Sequence, residues 1–397
     1  MSWKRHILRL FLLVFGFLTL LTSCKKNAKN EQSVPSQAVS SVNTTPMVPV
    51  TSEGIIFYAN NVDQIFAQAK TENKPVFIEI YSESCHVCQT FIPVFKEQAV
   101  SDFYNKNFLN YKIEVTAPEF QSFLLAQKIF VPSLPLLLFF DHDKNLLHLG
   151  VTDANGEKVI EQGKMALDPA RRGATMKKRF EQGEKSNQFL IDYAMFSRVT
   201  MDTLMNRKAM ELYAKQQLES DYISETNFLA VQKLLMDVEN PLGTYFVNHL
   251  PAYRKVHDPA MVKNVAENLI MSSLYSSFGN AYSSDKIKQM REYMIKAEIE
   301  PQVARNRVLL PLINAYFREK TPAKAVELVN THMTQVPLQV PDYLYLLKHF
   351  NEKSPDASYV PSAEKWAANA LNLVEKNSAD EATIRAELAA AQRRGGK

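Results

Sequence analysis

The chain has 397 residues, of which 46% are hydrophobic and 22% charged, and its formal net charge is +4. These fractions are those of an ordinary globular protein, so they exclude collagen-like and wholly disordered chains. The three cysteines are too few for a disulfide scaffold, and the 11 glycines, a low share, favour a helical protein over a turn-rich all-β one. The length predicts about two or three domains.

The N-terminus has the pattern of an export signal. Residues 1–9 include the basic Lys4, Arg5 and Arg9 and no acid, and Leu10–Leu21 is almost entirely apolar. As a helix the apolar stretch would rise about 18 Å, short of the roughly 30 Å hydrocarbon core of a bilayer, so we expect a signal sequence and not a transmembrane helix. Without these three basic residues the net charge falls from +4 to +1, which gives no electrostatic support for a nucleic-acid partner.

The residues that end this segment, Leu21-Thr22-Ser23-Cys24, resemble the lipobox of bacterial lipoproteins. The resemblance implies that residues 1–23 are a signal peptide that is removed and that Cys24 receives the lipid that anchors the chain in a membrane. The residue after Cys24 is not Asp, which under the sorting rules of such lipoproteins favours the outer membrane over the inner one. We therefore expect a protein of the bacterial cell envelope that faces the periplasm. The alternative is an ordinary secretory signal in which Cys24 is incidental.

The next segment, residues 24–53, predicts a flexible tether. It is rich in Ser, Thr, Asn, Gln and Pro, and it has no aromatic residue and no hydrophobic periodicity. The rest of the chain divides into residues 54–167, with mixed helical and strand patterns, and residues 168–397, with helical patterns only. We interpret these two parts as separate domains.

Residues 54–167 alternate between helical and strand patterns. In chain order the predicted elements are a helix Val62–Lys70, a strand Val76–Tyr81, a helix that begins at Cys85, a strand Asn110–Thr116, a helix Phe120–Lys128, and a hairpin of Leu136–Phe140 and Leu146–Leu149. This order predicts an α/β domain with a central sheet.

The two cysteines of this domain, Cys85 and Cys88, form a CxxC motif between a buried strand and a helix. In this the chain resembles the thioredoxin family, over residues 55–165. Five further residues match positions of that family: the proline that kinks the active-site helix (Pro93), the cis-proline (Pro135), the hairpin glycine (Gly150), the buried acid (Glu79) and its lysine partner (Lys112).

The resemblance implies a thioredoxin fold, a redox-active disulfide between Cys85 and Cys88, and binding of substrate backbone at Leu134 and Pro135. The sequence departs from the family at Ser84, where a Trp is usual, and between the cysteines, where His-Val replaces the usual Gly-Pro. The redox potential and the substrate range are therefore not implied.

The chemistry of the motif also follows from its position. A cysteine at a helix N-terminus faces unpaired backbone N–H groups and a partial positive charge, which stabilise the thiolate over the thiol. We therefore predict Cys85 as the nucleophile and Cys88, one turn further along, as the resolving thiol that releases a mixed disulfide. A protonated His86 would stabilise the thiolate further; the alternative is a solvated His86 without redox effect.

Two charged residues complete the predicted site. Glu79 is expected to be a buried acid near Cys88 that takes and returns the proton of the resolving thiol. The alternative is a Glu79 that points to the surface. Lys112 is expected to be its buried partner, and the alternative is a lysine that faces solvent.

Metal binding is the competing use of a CxxC pair. Tetrahedral zinc needs four ligands, and the sequence has no second Cys pair near Cys85 and Cys88 to complete the set. His142 and His148 flank the hairpin, but nothing in the sequence directs them at the cysteines. Copper(I) held by two thiolates is the remaining metal alternative. We predict no metal and no cofactor other than the disulfide itself.

Residues 168–397 show helical periodicity without a convincing strand. The predicted helices are Met176–Gln182, Gln188–Arg198, Thr203–Gln217, Asn227–Asp237, Ala260–Leu274, Asp285–Ala297, Arg305–Arg318, Ala323–Thr334, Pro341–Phe350, Ala363–Lys376 and Asp380–Arg394. Prolines and glycines fall between most of them, so antiparallel helix pairs stacked as a solenoid-like array are expected. Pro322–Val329 vaguely resembles a tetratricopeptide helix, but no fixed period is found.

Two functional hypotheses of different class remain. The first is a membrane-tethered thiol:disulfide oxidoreductase of the bacterial envelope whose partners are envelope proteins with thiols or disulfides, a redox protein that recycles it, and the membrane. The second is an envelope scaffold lipoprotein in which the helical part binds the partner and the thioredoxin-like part is accessory.

Overall fold

The structure is a computed structural model that describes residues 47–51 and 53–396. The predicted signal peptide 1–23, the lipid-bearing Cys24 and most of the tether 24–53 lie outside the described residues. They stay predictions. Within the described part of the chain, no helix combines the length and the apolar character needed to cross a membrane.

A four-stranded sheet organises the N-terminal part, with strand order β2-β1-β3-β4. Its elements are α1 Val62–Glu72, β1 Val76–Tyr81, α2 His86–Lys96, α3 Gln98–Asn107, β2 Leu109–Glu114, α4 Pro118–Gln127, β3 Leu136–Phe140, β4 Leu146–Gly150 and α5 Gly156–Leu167. β1 pairs parallel with β2 and antiparallel with β3, which pairs antiparallel with β4. This is a thioredoxin fold, and the predicted fold class is confirmed.

The central strand β1 explains why the sheet has a core on both faces. Five of its six residues are buried, and Glu79 is the charged one. Because side chains alternate along a strand, Val76 and Ile78 pack into the core on one face and Phe77 into the core on the other. Glu79 therefore lies on the Phe77 face, where Phe95 of α2 packs against Phe77 with ring centroids 6.3 Å apart.

The sequence patterns do not predict two helices of this domain, α3 and α5. The first residues of α3 have no side-chain cap, and only three of its residues are buried. α5 contains Gly156 and Gly163, which are poor helix formers. Gly163 is required by packing, because a Cβ there would lie 2.5 Å from Cε1 of Phe103.

The rest of the chain is helical, as predicted. Its helices are α6 Met176–Glu181, α7 Asn187–Val199, α8 Thr203–Lys215, α9 Glu225–Lys233, α10 Pro241–Asn248, α11 Leu250–Val256, α12 Pro259–Leu274, α13 Ser284–Lys296, α14 Pro301–Arg318, α15 Pro322–Gln335, α16 Val340–Lys353, α17 Val360–Leu371 and α18 Ala379–Arg394. The sequence patterns miss the short helices α10 and α11.

The prolines expected between helices stand at the starts of helices. Pro241, Pro259, Pro301, Pro322 and Pro361 stand at the first or second position of their helices. The first turn has no intrahelical acceptor for its N–H groups, so a residue without an N–H loses nothing there and its fixed φ favours the helix. These prolines therefore define where the helices begin.

The helical region packs directly on the sheet domain. Val199, at the end of α7, is fully buried in the core beneath the sheet, and its carbonyl accepts a 2.8 Å hydrogen bond from the N–H of Phe130. On β4, His148 accepts a bond from the N–H of Gly173 at 3.1 Å and lies 3.1 Å from Oε1 of Gln162. Residues 46–397 accordingly form one compact unit.

Candidate active site at the Cys85–Cys88 disulfide

The two cysteines of the CxxC motif are joined by a disulfide, and their Cα atoms lie 5.2 Å apart. Cys85 is the N-cap of α2, and its Sγ accepts a hydrogen bond of 3.1 Å from the backbone N–H of Cys88. Cys85 is half-buried, whereas only 5% of the Cys88 surface is exposed. An incoming sulfur atom therefore reaches Cys85 more easily than Cys88.

Local sequence explains why the helix begins at this point. Cys85 has extended backbone geometry, and its N–H donates to the carbonyl of Ser82 at 3.1 Å, which closes a turn after β1. The first turn of α2 contains no acidic residue. The positive end of the helix dipole at Cys85 is therefore not neutralised, which favours a thiolate at this position.

His86 is the first residue of α2 and is exposed. Within the described residues it makes no hydrogen bond and no ion pair. The structure thus places His86 beside Cys85 at the helix start. Its effect on the thiolate stays a prediction.

The loop before β3 brings Leu134 and Pro135 to the disulfide. The Leu134–Pro135 peptide bond is cis. The carbonyl oxygen of Leu134 lies 3.8 Å from Sγ of Cys85, and Pro135 is buried at the start of β3. Both predicted substrate-binding residues therefore adjoin the accessible cysteine.

Buried Glu79 forms an ion pair with Lys112, which is half-buried and not fully buried as expected, on the face of the sheet that α2 covers. Glu79 is only 1% exposed, and its Oε2 lies 2.9 Å from Nζ of Lys112, which is opposite it on β2. The ammonium also lies 4.6 Å from the ring centroid of Phe57 and 5.0 Å from that of Tyr81. Glu79 thus points inward and not to the surface, and Lys112 is its partner.

Burial and Lys112 act in opposite directions on the pKa of Glu79. Burial raises the pKa of Glu79, and the attraction of Lys112 lowers the pKa by less. None of the described hydrogen bonds joins Glu79 to Cys85 or Cys88. The carboxyl group lies beneath the helix that holds both cysteines, and its role in proton transfer stays a prediction.

Sequence reasoning missed two features around the disulfide. Val87 and Ile92 on α2 and Phe130 before the cis-proline are exposed apolar side chains, with 54%, 50% and 44% of their surface accessible. The guanidinium of Arg198 lies 5.6 Å from the ring centroid of Phe130. No local pattern predicts this contact, because it joins residues far apart in the chain.

No group of three or more His, Cys, Asp or Glu side chains that could hold a metal ion is found in the residues that the structure describes. His148 is buried and bonded to its neighbours, and His142 lies 3.4 Å from Asp143 in the hairpin turn. None of the described contacts joins either histidine to Cys85 or Cys88.

Comparison with known proteins agrees with this geometry for the sheet domain. The model of the family Thioredox_DsbH, described as a protein of unknown function (DUF255), matches residues 44–155. The domain is thioredoxin-like. No curated protein matches the chain.

Two solved structures are similar to part of the chain. A solution structure described as a disulphide-isomerase from Bacteroides thetaiotaomicron is 21% identical, with a TM-score of 0.27, over 30% of this chain and 98% of that one. A crystal structure of a disulphide isomerase from Xylella fastidiosa is 20% identical, with a TM-score of 0.20, over 26% of this chain and 78% of that one. The assignment of the fold rests on the sheet topology and the family match.

Proposed function

We propose that the protein is a thiol:disulfide oxidoreductase that exchanges disulfides with other proteins through Cys85 and Cys88. The observation that supports this most directly is the half-buried Cys85 at the N-cap of α2, 3.8 Å from the carbonyl oxygen of Leu134 and bonded to a buried partner. A substrate sulfur reaches Cys85 more easily than Cys88, so burial favours Cys85 as the first cysteine to react.

The exchange proceeds in two steps. In the reduced protein the Cys85 thiolate attacks one sulfur of a substrate disulfide, and the other substrate sulfur leaves as a thiolate. The Cys88 thiolate then attacks Sγ of Cys85, which forms the Cys85–Cys88 disulfide and releases the second substrate thiolate. Two electrons pass from protein to substrate, and the reverse sequence oxidises a substrate dithiol.

Glu79 accepts the proton that the Cys88 thiol loses in the resolving step. Cys88 is buried, so its thiol needs an internal base before it can attack. Glu79 is a buried carboxyl group on the same face of the sheet, and burial raises its pKa, which makes its carboxylate a stronger base for this proton. Lys112 keeps the carboxylate form available.

The proposed place of action is the bacterial cell envelope, on the periplasmic side of the outer membrane. This part of the proposal is supported by the signal pattern of residues 1–23 and the lipobox ending in Cys24. Such a compartment is oxidising, which suits a chain whose two remaining thiols form a reversible disulfide. The proposed partners are envelope proteins with thiols or disulfides and a redox protein that recycles the pair.

The test is a Cys88→Ser variant expressed in the envelope of its host. It keeps the Cys85 nucleophile and lacks the resolving thiol, so mixed disulfides with substrate proteins should accumulate and appear as reducible adducts on non-reducing gels. Cys85→Ser is the matched control and should form none. A Cys88→Ser variant that remains a clean monomeric band contradicts the proposal.

A further inference from the structure

The helical region contains an open groove between α9 and α12. One cavity of about 380 Å³ lies along both helices, and a second of about 510 Å³ adjoins it. The two cavities share Gln232, Asp258 and Met261 in their walls. The two adjoining cavities are together called the helical groove.

The near end of the helical groove reaches the loop of the redox site. Arg198 lines this end, and its guanidinium donates to the carbonyl oxygens of Gln232 at 3.5 Å and Leu235 at 3.4 Å. The same guanidinium lies 5.6 Å from the centroid of the exposed Phe130 ring. At most about 14 Å of chain separates Phe130 from Leu134, whose carbonyl oxygen is 3.8 Å from Sγ of Cys85.

Amide side chains along one wall are free to bind a ligand. Asn264 and Asn268 on α12 are exposed and line the groove, with Ser272 one turn further. None of these three side chains makes a hydrogen bond to any described residue. Each amide offers donors and an acceptor, as a peptide group does.

Their spacing suits an extended chain. Asn264 and Asn268 are four residues apart on a helix, which sets them about 6 Å apart along its axis. Alternate residues of an extended chain repeat at about 6.6 Å. A helical ligand would leave these amides unmatched, because its own backbone groups are already paired.

Arg198 adds an unused donor at the near end. No carboxylate pairs with it among the described residues, and its two bonds to carbonyl oxygens are long. A guanidinium has five N–H donors, so several remain available for the carbonyl oxygens of a bound chain.

The far end of the helical groove exposes apolar side chains beside the polar Glu225 and Asp258. Leu229, Val256 and Met261 line it, and 51%, 61% and 43% of their surfaces are exposed. Large exposed apolar side chains around one cavity suit a ligand that itself exposes apolar side chains. An unfolded polypeptide has both these side chains and unpaired backbone groups.

We infer that the helical groove binds an extended segment of an unfolded polypeptide substrate and so holds a nearby cysteine of that substrate at Cys85. This inference rests on the proposed function, since it names the class of substrate on which the disulfide acts. It gives the helical region a role in the exchange reaction itself. It also explains why Arg198 contacts the loop that contains the cis-proline.

The test compares a large unfolded substrate with a small one. The reduced protein is mixed with scrambled ribonuclease A, an unfolded polypeptide with disulfides, or with oxidised glutathione, and formation of the Cys85–Cys88 disulfide is followed by thiol alkylation. The double variant Asn264→Ala, Asn268→Ala should react roughly tenfold more slowly with the ribonuclease, because two hydrogen bonds are lost. Its rate with glutathione should not change.

The matched control is Asn369→Ala, at an exposed position of α17 outside the groove. Alanine is the better helix former at all three positions, so the variants should fold. The control should react with both substrates at the rate of the unmodified protein.

The outcomes separate the inference from the proposed function. If the unmodified protein reacts with neither substrate, the proposed function fails. If it reacts with both and the double variant keeps the full rate with scrambled ribonuclease, the groove inference is overturned and the proposed function stands. A concentration-dependent dimer that the double variant loses in sedimentation would assign the groove to a second copy of this chain and also overturn the inference.

Discussion

Each of the two regions of the molecule contains an ion pair with a buried carboxylate, and the two carboxylates differ in the number of hydrogen bonds that they accept. Asp237 of the helical region is 2% exposed and lies 2.6 Å from Nε of Arg207. It also accepts bonds of 3.0 Å from the hydroxyl of Tyr282 and from the N–H of Glu239. These partners join three segments of the helical region.

Among the described residues, Glu79 of the thioredoxin-like domain bonds to Lys112 alone, and burial raises its pKa. The two carboxyl groups thus differ in the number of hydrogen bonds that they accept, since two groups besides Arg207 donate to Asp237. Burial of a carboxyl group therefore does not by itself identify a catalytic group.

A third buried titratable group lies between the two regions and gives the largest expected effect. Burial lowers the pKa of His148 to about 4. Because the pKa of this histidine is higher in the unfolded chain, the unfolded state binds the proton first as the pH falls. The contribution of neutral His148 to the free energy of unfolding is therefore complete above about pH 6.5 and is lost as the pH falls toward 4. The loss amounts to about 3 kcal/mol.

The measurement is chemical denaturation of the protein and of His148→Gln at pH 7 and pH 4. Between these pH values the free energy of unfolding of the variant should fall by about 3 kcal/mol less than that of the unmodified protein. His142→Gln, in the hairpin turn, is the control and should behave as the unmodified protein does. Equal losses in all three proteins would show that His148 does not join the regions in its neutral form.

The next effect is on the ion pair of the helical region. Asp237→Asn should lower the free energy of unfolding by about 2 kcal/mol, because Arg207 keeps its charge and loses its partner. The exchange rate with oxidised glutathione should stay unchanged, because the bonds of Asp237 hold helices and not the disulfide. A large loss of exchange in a folded Asp237→Asn protein would contradict the contrast with Glu79.

The smallest effect is expected at Glu79. Glu79→Gln keeps the size of the side chain and removes its titration, so release of the mixed disulfide by Cys88 should slow by roughly tenfold near neutral pH. The rate should also lose the dependence on pH that Glu79 causes, which a purely structural role would not change. Stopped-flow measurement of the release step against pH tests this, and an unaltered pH profile would remove Glu79 from the mechanism.

The sequence predicts the fold of the N-terminal part well because its signals are local. β1 and β3 have the predicted bounds, since continuous apolar runs end at turn residues. The helix at Cys85 begins where the motif places it. These elements need no knowledge of distant residues.

The missed features depend on distant partners. The pattern of α5 is obscured by Gly163, which packs against Phe103, and by Gly156, which packs against Glu97. α10 and α11 are short helices that begin at or near prolines. Val199 lies in the core of a domain that the sequence patterns end at residue 167. The helical groove is likewise formed by α9 and α12, and periodicity within one helix does not show which helix lies beside it.

The central claim is that Cys85 is an activated nucleophile and Cys88 is not. The most direct measurement is the rate of alkylation of the reduced protein by iodoacetamide as a function of pH, with the modified cysteine located by mass spectrometry. Cys85 should react first, with the midpoint of its rate-against-pH profile below the value of about 8.5 for a free cysteine, and Cys88 should stay unmodified. A midpoint at or above that of free cysteine, or modification of Cys88 first, would contradict the claim.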